Sequence, residues 1–187
     1  FPAEAYAPRK KKKKKSAGEF SQEFIAAFQP LNEALSKEGV DAAAYKPQLE
    51  ALVPMANSAD EKNNAGILIY NTGAKLGDQS LQLTGMELML ASGKTDVEQV
   101  GRFNFIAYQL ANAQKDYPKA RKYLQEAINR NFTTDTISSW DLKVALAESY
   151  ISDNQFAEGL SHLKQAIEAR KNSGVAVDEQ WYRRGLT

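Results

Sequence analysis

The sequence predicts an all-α protein built from helical hairpins that stack on one another, and three observations carry that prediction. Over most of the chain, apolar residues recur at i, i+4, i+7 and i+8, the period of one helix face. No stretch alternates at period two, so nothing reads as a strand. Turn-forming residues recur at a fixed interval: Asp41 follows "EGV", Asp78 follows "KLG", Asp116 follows "AQK" and Asn154 follows "ISD", at separations of 37, 38 and 38 residues. Such self-similarity marks units that depend on their neighbours, because one hairpin cannot cover both of its own faces. About nine helices and no sheet are expected.

Residues 1–18, "FPAEAYAPRKKKKKKSAG", are rich in alanine and proline and then polybasic; with little to bury they are expected to form a disordered arm. From Glu19 the helical repeat domain begins, extending to residue 187. Phe20, Phe24, Ala27, Phe28, Leu31 and Leu35 make the first helix face. Over 19–92, Pro30, Pro47 and Pro54 interrupt the pattern, since proline inside a helix loses a hydrogen bond and kinks or ends it at about 3 kcal/mol. Degenerate hairpins are expected there. "GAKLGDQS" (73–80) reads as a helix C-cap followed by Asp78 as the next N-cap, and the Asp or Asn of each periodic turn is placed to cap the helix after it. Residues 93–175 hold two clearer repeats. Tyr117, Ala120, Leu124, Ala127 and Ile128 lie on one helix face, and Phe156, Leu160, Leu163 and Ile167 on another. "QWYRRGLT" (180–187) looks like the opening of a helix, so residues 176–187 are expected to start a further repeat that continues beyond Thr187.

Composition narrows the chemistry. With 187 residues the chain can bury a substantial core, and 43% apolar with 25% charged residues is ordinary for a globular protein. The apolar runs, of which "ILIY" (67–70) is typical, fall far short of the roughly 18 residues of a membrane span. The absence of cysteine excludes disulfides, thiolate metal sites and cysteine nucleophiles. The net charge of +1 conceals a division: residues 1–18 carry seven cations against Glu4, which leaves 17 cations and 22 anions in the other 169. An acidic body follows a basic leader. The chain begins at Phe1; if a signal peptide preceded it, the expected location is periplasmic or secreted, and otherwise cytoplasmic.

The second half resembles a known family. "DYPKARKYLQEAI" (116–128) is similar to the second helix of a tetratricopeptide repeat, with aromatic Tyr117, small Ala120, large Leu124 and small Ala127. "QFAEGLSHLKQAI" (155–167) repeats this with Phe156, Gly159, Leu163 and Ala166, and the preceding helix supplies Leu146, Ala147 and Tyr150. Small residues let paired helices approach while large ones fill the space between them. The units exceed the family's 34 residues through "NRNFTTDT" and "RKNSGVAVD", and Tyr108 stands where the family has a small residue. If Ala107 takes that place instead, the helix face turns by about 100°. The layout also resembles secreted alphaproteobacterial tetratricopeptide proteins of unassigned function. The resemblance implies a right-handed α-solenoid that binds a protein segment along the first helices of its repeats.

Aligned on Ala120 and Gly159, the resemblance assigns Arg102, Phe105, Gln109 and Asn112 to the binding groove from one repeat. Asp141, Val144, Glu148 and Ile151 come from the next, and Tyr182 and Arg183 from the unfinished one. Phe105, Val144 and Ile151 could equally be packing residues. The family's two-carboxylate clamp needs Lys and Asn where this chain has Phe105 or Val144, Ile106 or Ala145, and Glu148, so an acidic C-terminal tail is not the expected ligand.

Catalytic patterns are missing. His162, the one histidine, lies within a helix face, and with no cysteine the usual zinc ligand sets are not available. "GAKLGDQS" lacks the G-x4-G-K-[ST] spacing of a phosphate loop. No catalytic residue, metal or cofactor is assigned, and a non-enzymatic interaction scaffold is the expected function. Two rivals remain. Arg9, Lys10, Lys11, Lys12, Lys13, Lys14 and Lys15 could contact a membrane surface, nucleic acid or an acidic protein, or could serve only as a solvated tether. No aromatic residue interleaves the lysines, so base stacking is not encoded and nucleic acid is not the expected partner. Alternatively, the chain supports a further C-terminal domain. Self-association through an uncovered face of the last repeat is also expected.

Overall fold

The computed structural model describes residues 19–172, all of whose regular elements are helical, with no strand among them. The chain divides into a compact unit ending at Gln99 and another beginning at Val100. Eight α-helices lie in the described residues. The start of a further repeat expected at 176–187 lies outside them, as does the basic segment 1–18.

In the first unit, α1 (Gln22–Leu35) opens at Ser21, whose side chain accepts a hydrogen bond from the Phe24 amide. Phe20, Phe24 and Phe28 stack along its buried side, with ring centroids 6.1 and 5.3 Å apart. Pro30 does not end this helix, which runs unbroken to Leu35. Its ring and Ala26, the residue whose carbonyl loses a donor, both lie on the exposed side, where water can replace the missing bond. Pro47 stands in the first turn of the short α2 (Lys46–Leu52), where its lost N–H would be unpaired anyway, and Pro54 lies in the 3₁₀ turn after it. The hairpin of α3 (Ala59–Leu76) and α4 (Gln79–Ala91) completes the unit. Gly66 and Gly73 on α3 and Gly85 on α4 bring the two backbones together: a β-carbon at Gly73 would stand 2.7 Å from the Gln82 amide nitrogen. Buried Glu61 of α3 accepts from the amides of Ser21 and Asn57, each at 3.4 Å, tying the start of α1 to α3.

The second unit contains most of α5 (Val97–Ala113), with α6 (Tyr117–Asn129), α7 (Ser139–Ser152) and α8 (Phe156–Asn172). α7 is buried on two sides. Leu142 and Leu146 join Leu124 of α6 in one cluster, while Ala147 joins Leu163 and Ile167 of α8 in another. Ala120, Leu124, Ala127, Leu146, Ala147, Gly159, Leu163 and Ala166, the small and large positions read from the sequence, are all buried. Tyr117 and Tyr150 are half-buried, and Phe156 is 56% exposed. Arg121 joins α6 to α7: its guanidinium pairs with Asp153 at 2.8 Å, donates to the Ser149 carbonyl at 3.2 Å, and lies over the Tyr150 ring at 4.5 Å.

The capping expectation holds for two of the four periodic residues. Asp78 and Asp116 accept from the amides of Leu81 and Lys119. Asp41 precedes a 3₁₀ turn without a side-chain cap bond, and Asn154 adopts a positive φ of 58° two residues before α8. What recurs structurally is a left-handed residue at each turn, two positions before Asp41 and one position before the residue that precedes the helix at the other three: Gly39, Gly77, Lys115 and Asn154 all have φ between 58° and 74°. At the last three, the following amide (Asp78, Asp116, Gln155) donates to a carbonyl five residues back, at 2.8, 3.0 and 2.9 Å. These are Schellman-type closures, which satisfy the last carbonyls of one helix while turning the chain into the next.

Candidate functional site

An open cleft of about 390 Å³ lies within the second unit, between α5 and α7. Its wall is built by the connection from α6 to α7. Asn131, at φ 52°, turns the chain, and the Phe132 amide donates to the Ala127 carbonyl at 3.0 Å to close α6. Phe132 then packs on Phe105 with ring centroids 5.1 Å apart. Gly101 gives the connection room, because a β-carbon there would already stand 3.2 Å from Cβ of Phe132. The Thr134 hydroxyl accepts from the Ile137 amide at 3.0 Å, which sets Ile137 at the cleft. A reciprocal cap follows: Ser138 Oγ accepts from the Asp141 amide, and Asp141 Oδ2 accepts from the Ser138 amide at 2.7 Å and its hydroxyl at 2.9 Å.

The lining divides by burial. Phe105, Tyr108, Leu142 and Ala145 are buried or half-buried and form an apolar floor, whereas Gln109, Asn112, Ala113 and Asp141 are exposed at the rim. The rings of Phe105 and Tyr108 are tilted, 5.7 Å apart. Burial raises the Tyr108 phenol above its ordinary value, and the nearby negative charge of Glu148 raises it further. Glu148 is exposed and lies on the α7 stripe that carries Asp141 and Ala145, seven and three residues before it.

Of the predicted groove residues, Phe105, Gln109, Asn112 and Asp141 come together in this cleft. Arg102 is exposed on α5 but does not line it. Val144 is 3% exposed, so the sequence-based placement on a ligand-facing surface is corrected: it is a buried residue of α7, the helix that packs on both α6 and α8. Ile151 packs against the position of Gly159, where a β-carbon would meet its Cγ1 at 2.5 Å. Tyr182, Arg183 and the run Arg9–Lys15 lie outside the described residues. Ala107 is fully buried and Tyr108 turns to the cleft, yet Phe105, Gln109 and Asn112 line it as well. The sequence reading missed Ile137, which follows the "NRNFTTDT" insertion that helical periodicity cannot place. It also missed Tyr108, Ala113, Leu142 and Ala145, because periodicity along one helix does not show which residues face a cleft between two.

His162 stacks on Tyr150, centroids 4.9 Å apart at 11°. Among the described residues, no group of three or more His, Asp or Glu side chains is placed to hold a metal ion, and no helix is long and apolar enough to cross a membrane. No protein-family model, curated protein or solved structure matches the chain.

Proposed function

We propose that this chain is a non-enzymatic interaction module, a right-handed solenoid of tetratricopeptide type that holds a segment of a partner protein between the first helices of adjacent hairpins. One observation supports the reading above others. The cleft between α5 and α7 gathers Phe105, Gln109, Asn112 and Asp141 from two hairpins, with apolar side chains below and hydrogen-bonding groups at the rim. A peptide needs both: apolar area for affinity and a few placed polar groups for register. The family assignment rests on the sequence resemblance together with the burial of its small and large positions. Self-association through the last hairpin belongs to the same proposal, with exposed Phe156 of α8 available at its surface.

Peptide display on the full chain, followed by amide shift mapping, tests the reading. Selected peptides should shift the resonances of Phe105, Gln109, Asn112 and Asp141. Joint replacement Gln109→Ala and Asn112→Ala should weaken them while leaving stability within about ±0.5 kcal/mol, as surface changes do. Peptides that map to other surfaces would remove the cleft from consideration. The charge division of the sequence favours a second reading, anionic contact through Arg9–Lys15. Deleting residues 1–18 separates the two, since the cleft would keep its ligand and the basic run would not.

A further inference from the structure

We propose that the segment held in the α5–α7 cleft presents an arginine, whose guanidinium lies against the Phe105–Tyr108 rings with its edge at Asp141. This rests on the cleft being the binding site and adds the chemistry of its occupant.

Charge decides the sign of the ligand. Among the described residues, Asp141 is the single charged side chain of the lining, to which they contribute no lysine or arginine. Its Oδ2 is held by the amide and hydroxyl of Ser138, and none of the described cations pairs with the carboxylate. The group is therefore fixed in place and brings its negative charge to the rim of the cleft. A second negative charge, Glu148, is near enough to act on the Tyr108 phenol. One feature of the cleft favours an anion, the first turn of α7, but the Ser138 side chain already accepts from the Asp141 amide and the Asp141 carboxylate already places a negative charge there.

Shape and hydrogen bonding decide between cations. A planar guanidinium stacks on an aromatic face and forks onto a carboxylate, which an ammonium cannot do. Phe105 and Tyr108 supply half-buried rings in the same lining as that carboxylate. The exposed amide side chains of Gln109 and Asn112 form no hydrogen bond within the described residues, so their carbonyl oxygens are available to the remaining guanidinium N–H groups.

The test measures fluorescence anisotropy of labelled Gly-Ser-Ala-Leu-Arg-Leu-Ala-Ser-Gly with the full chain. Two counterparts carry citrulline, the uncharged isostere, or glutamate at the centre. The arginine peptide should bind about tenfold more tightly than the citrulline peptide, the combined worth of one exposed ion pair and one cation–π contact, and the difference should shrink in high salt. Asp141→Asn, which keeps a capping oxygen, should lose most of that preference. Glu148→Gln, at an exposed position outside the cap, should lose part of it. Gln109→Lys should reject the arginine peptide. If all three peptides bind alike and Gln109→Lys still alters their binding, the cleft reading survives and the arginine preference is overturned. If none binds, or binding ignores every cleft variant, both are overturned.

Discussion

Gly66 of α3 faces the carbonyl oxygen of Gly85 in α4 so closely that a β-carbon at position 66 would stand 2.7 Å from it. From the other side, a β-carbon at Gly85 would collide with the backbone of Tyr70. The hairpin is joined nearly backbone to backbone, with the side chains of Met86 and Met89 fully buried along α4.

Gly85→Ala should therefore destabilise the protein, although alanine is the better helix former by about 1 kcal/mol. The obstruction is backbone, which cannot swing aside, so a net loss of about 1–3 kcal/mol is expected in urea denaturation. Gly77→Ala is the comparison: space is open there, and only the left-handed φ of 65° opposes a side chain. A Gly85→Ala protein as stable as the parent would mean that α3 and α4 are further apart than described.

Arg121 should not tolerate lysine. Its fork reaches Asp153 and the Ser149 carbonyl together while the plane covers Tyr150. An ammonium can meet one of these acceptors but cannot cover the ring as a plane. With the arginine side chain only 11% exposed, a loss of about 1–2 kcal/mol is expected for Arg121→Lys, read from the thermal or urea midpoint.

The four periodic turn residues should separate into two classes. Asp78→Ala and Asp116→Ala each remove a cap bond and should cost about 1 kcal/mol, while Asp41→Ala, with no such bond, should stay within about ±0.5 kcal/mol. Asp78 adds a pH signature. A hydrogen bond from Lys46 at 2.6 Å, helped by the Leu81 and Ser80 amides, holds its carboxyl below the ordinary 3.8. A depressed carboxyl contributes stability above its unfolded value and loses it as the pH falls towards the folded one. The gap between parent and Asp78→Asn should therefore narrow below pH 3.8.

Tyr108 should ionise late in an alkaline titration. Its phenol is raised above 10.0 by burial first and by Glu148 second. With the folded value raised, the protonated ring contributes fully below the unfolded value and loses that contribution as the pH rises through the folded one. The phenolate absorbance missing in Tyr108→Phe, relative to the parent, isolates this group among the eight tyrosines. Glu148→Gln should shift it to lower pH; no shift would place Glu148 away from the cleft.

Helix positions, most turn sites and the buried small and large residues of the second half were determined by the sequence alone, because each depends on neighbours within a few positions. Spacing near 3.6 selects a face, and an aspartate before a helix finds amides three residues on, as at Asp78 and Asp116. Other outcomes depended on partners far along the chain. Pro30 remains inside α1 because its side of the helix meets water. Val144 is buried on α7, a helix that packs on α6 through Leu142 and Leu146 and on α8 through Ala147, and periodicity within one helix does not show how many of its faces are covered. The period is carried by the left-handed residue at each turn, and lysine or asparagine can occupy that place as well as glycine, which leaves no consistent residue signature. The cleft was legible only in part. Phe105, Gln109, Asn112 and Asp141 could be named from spacing, but its wall comes from the irregular connection holding Phe132 and Ile137, whose path is set by contacts across the fold.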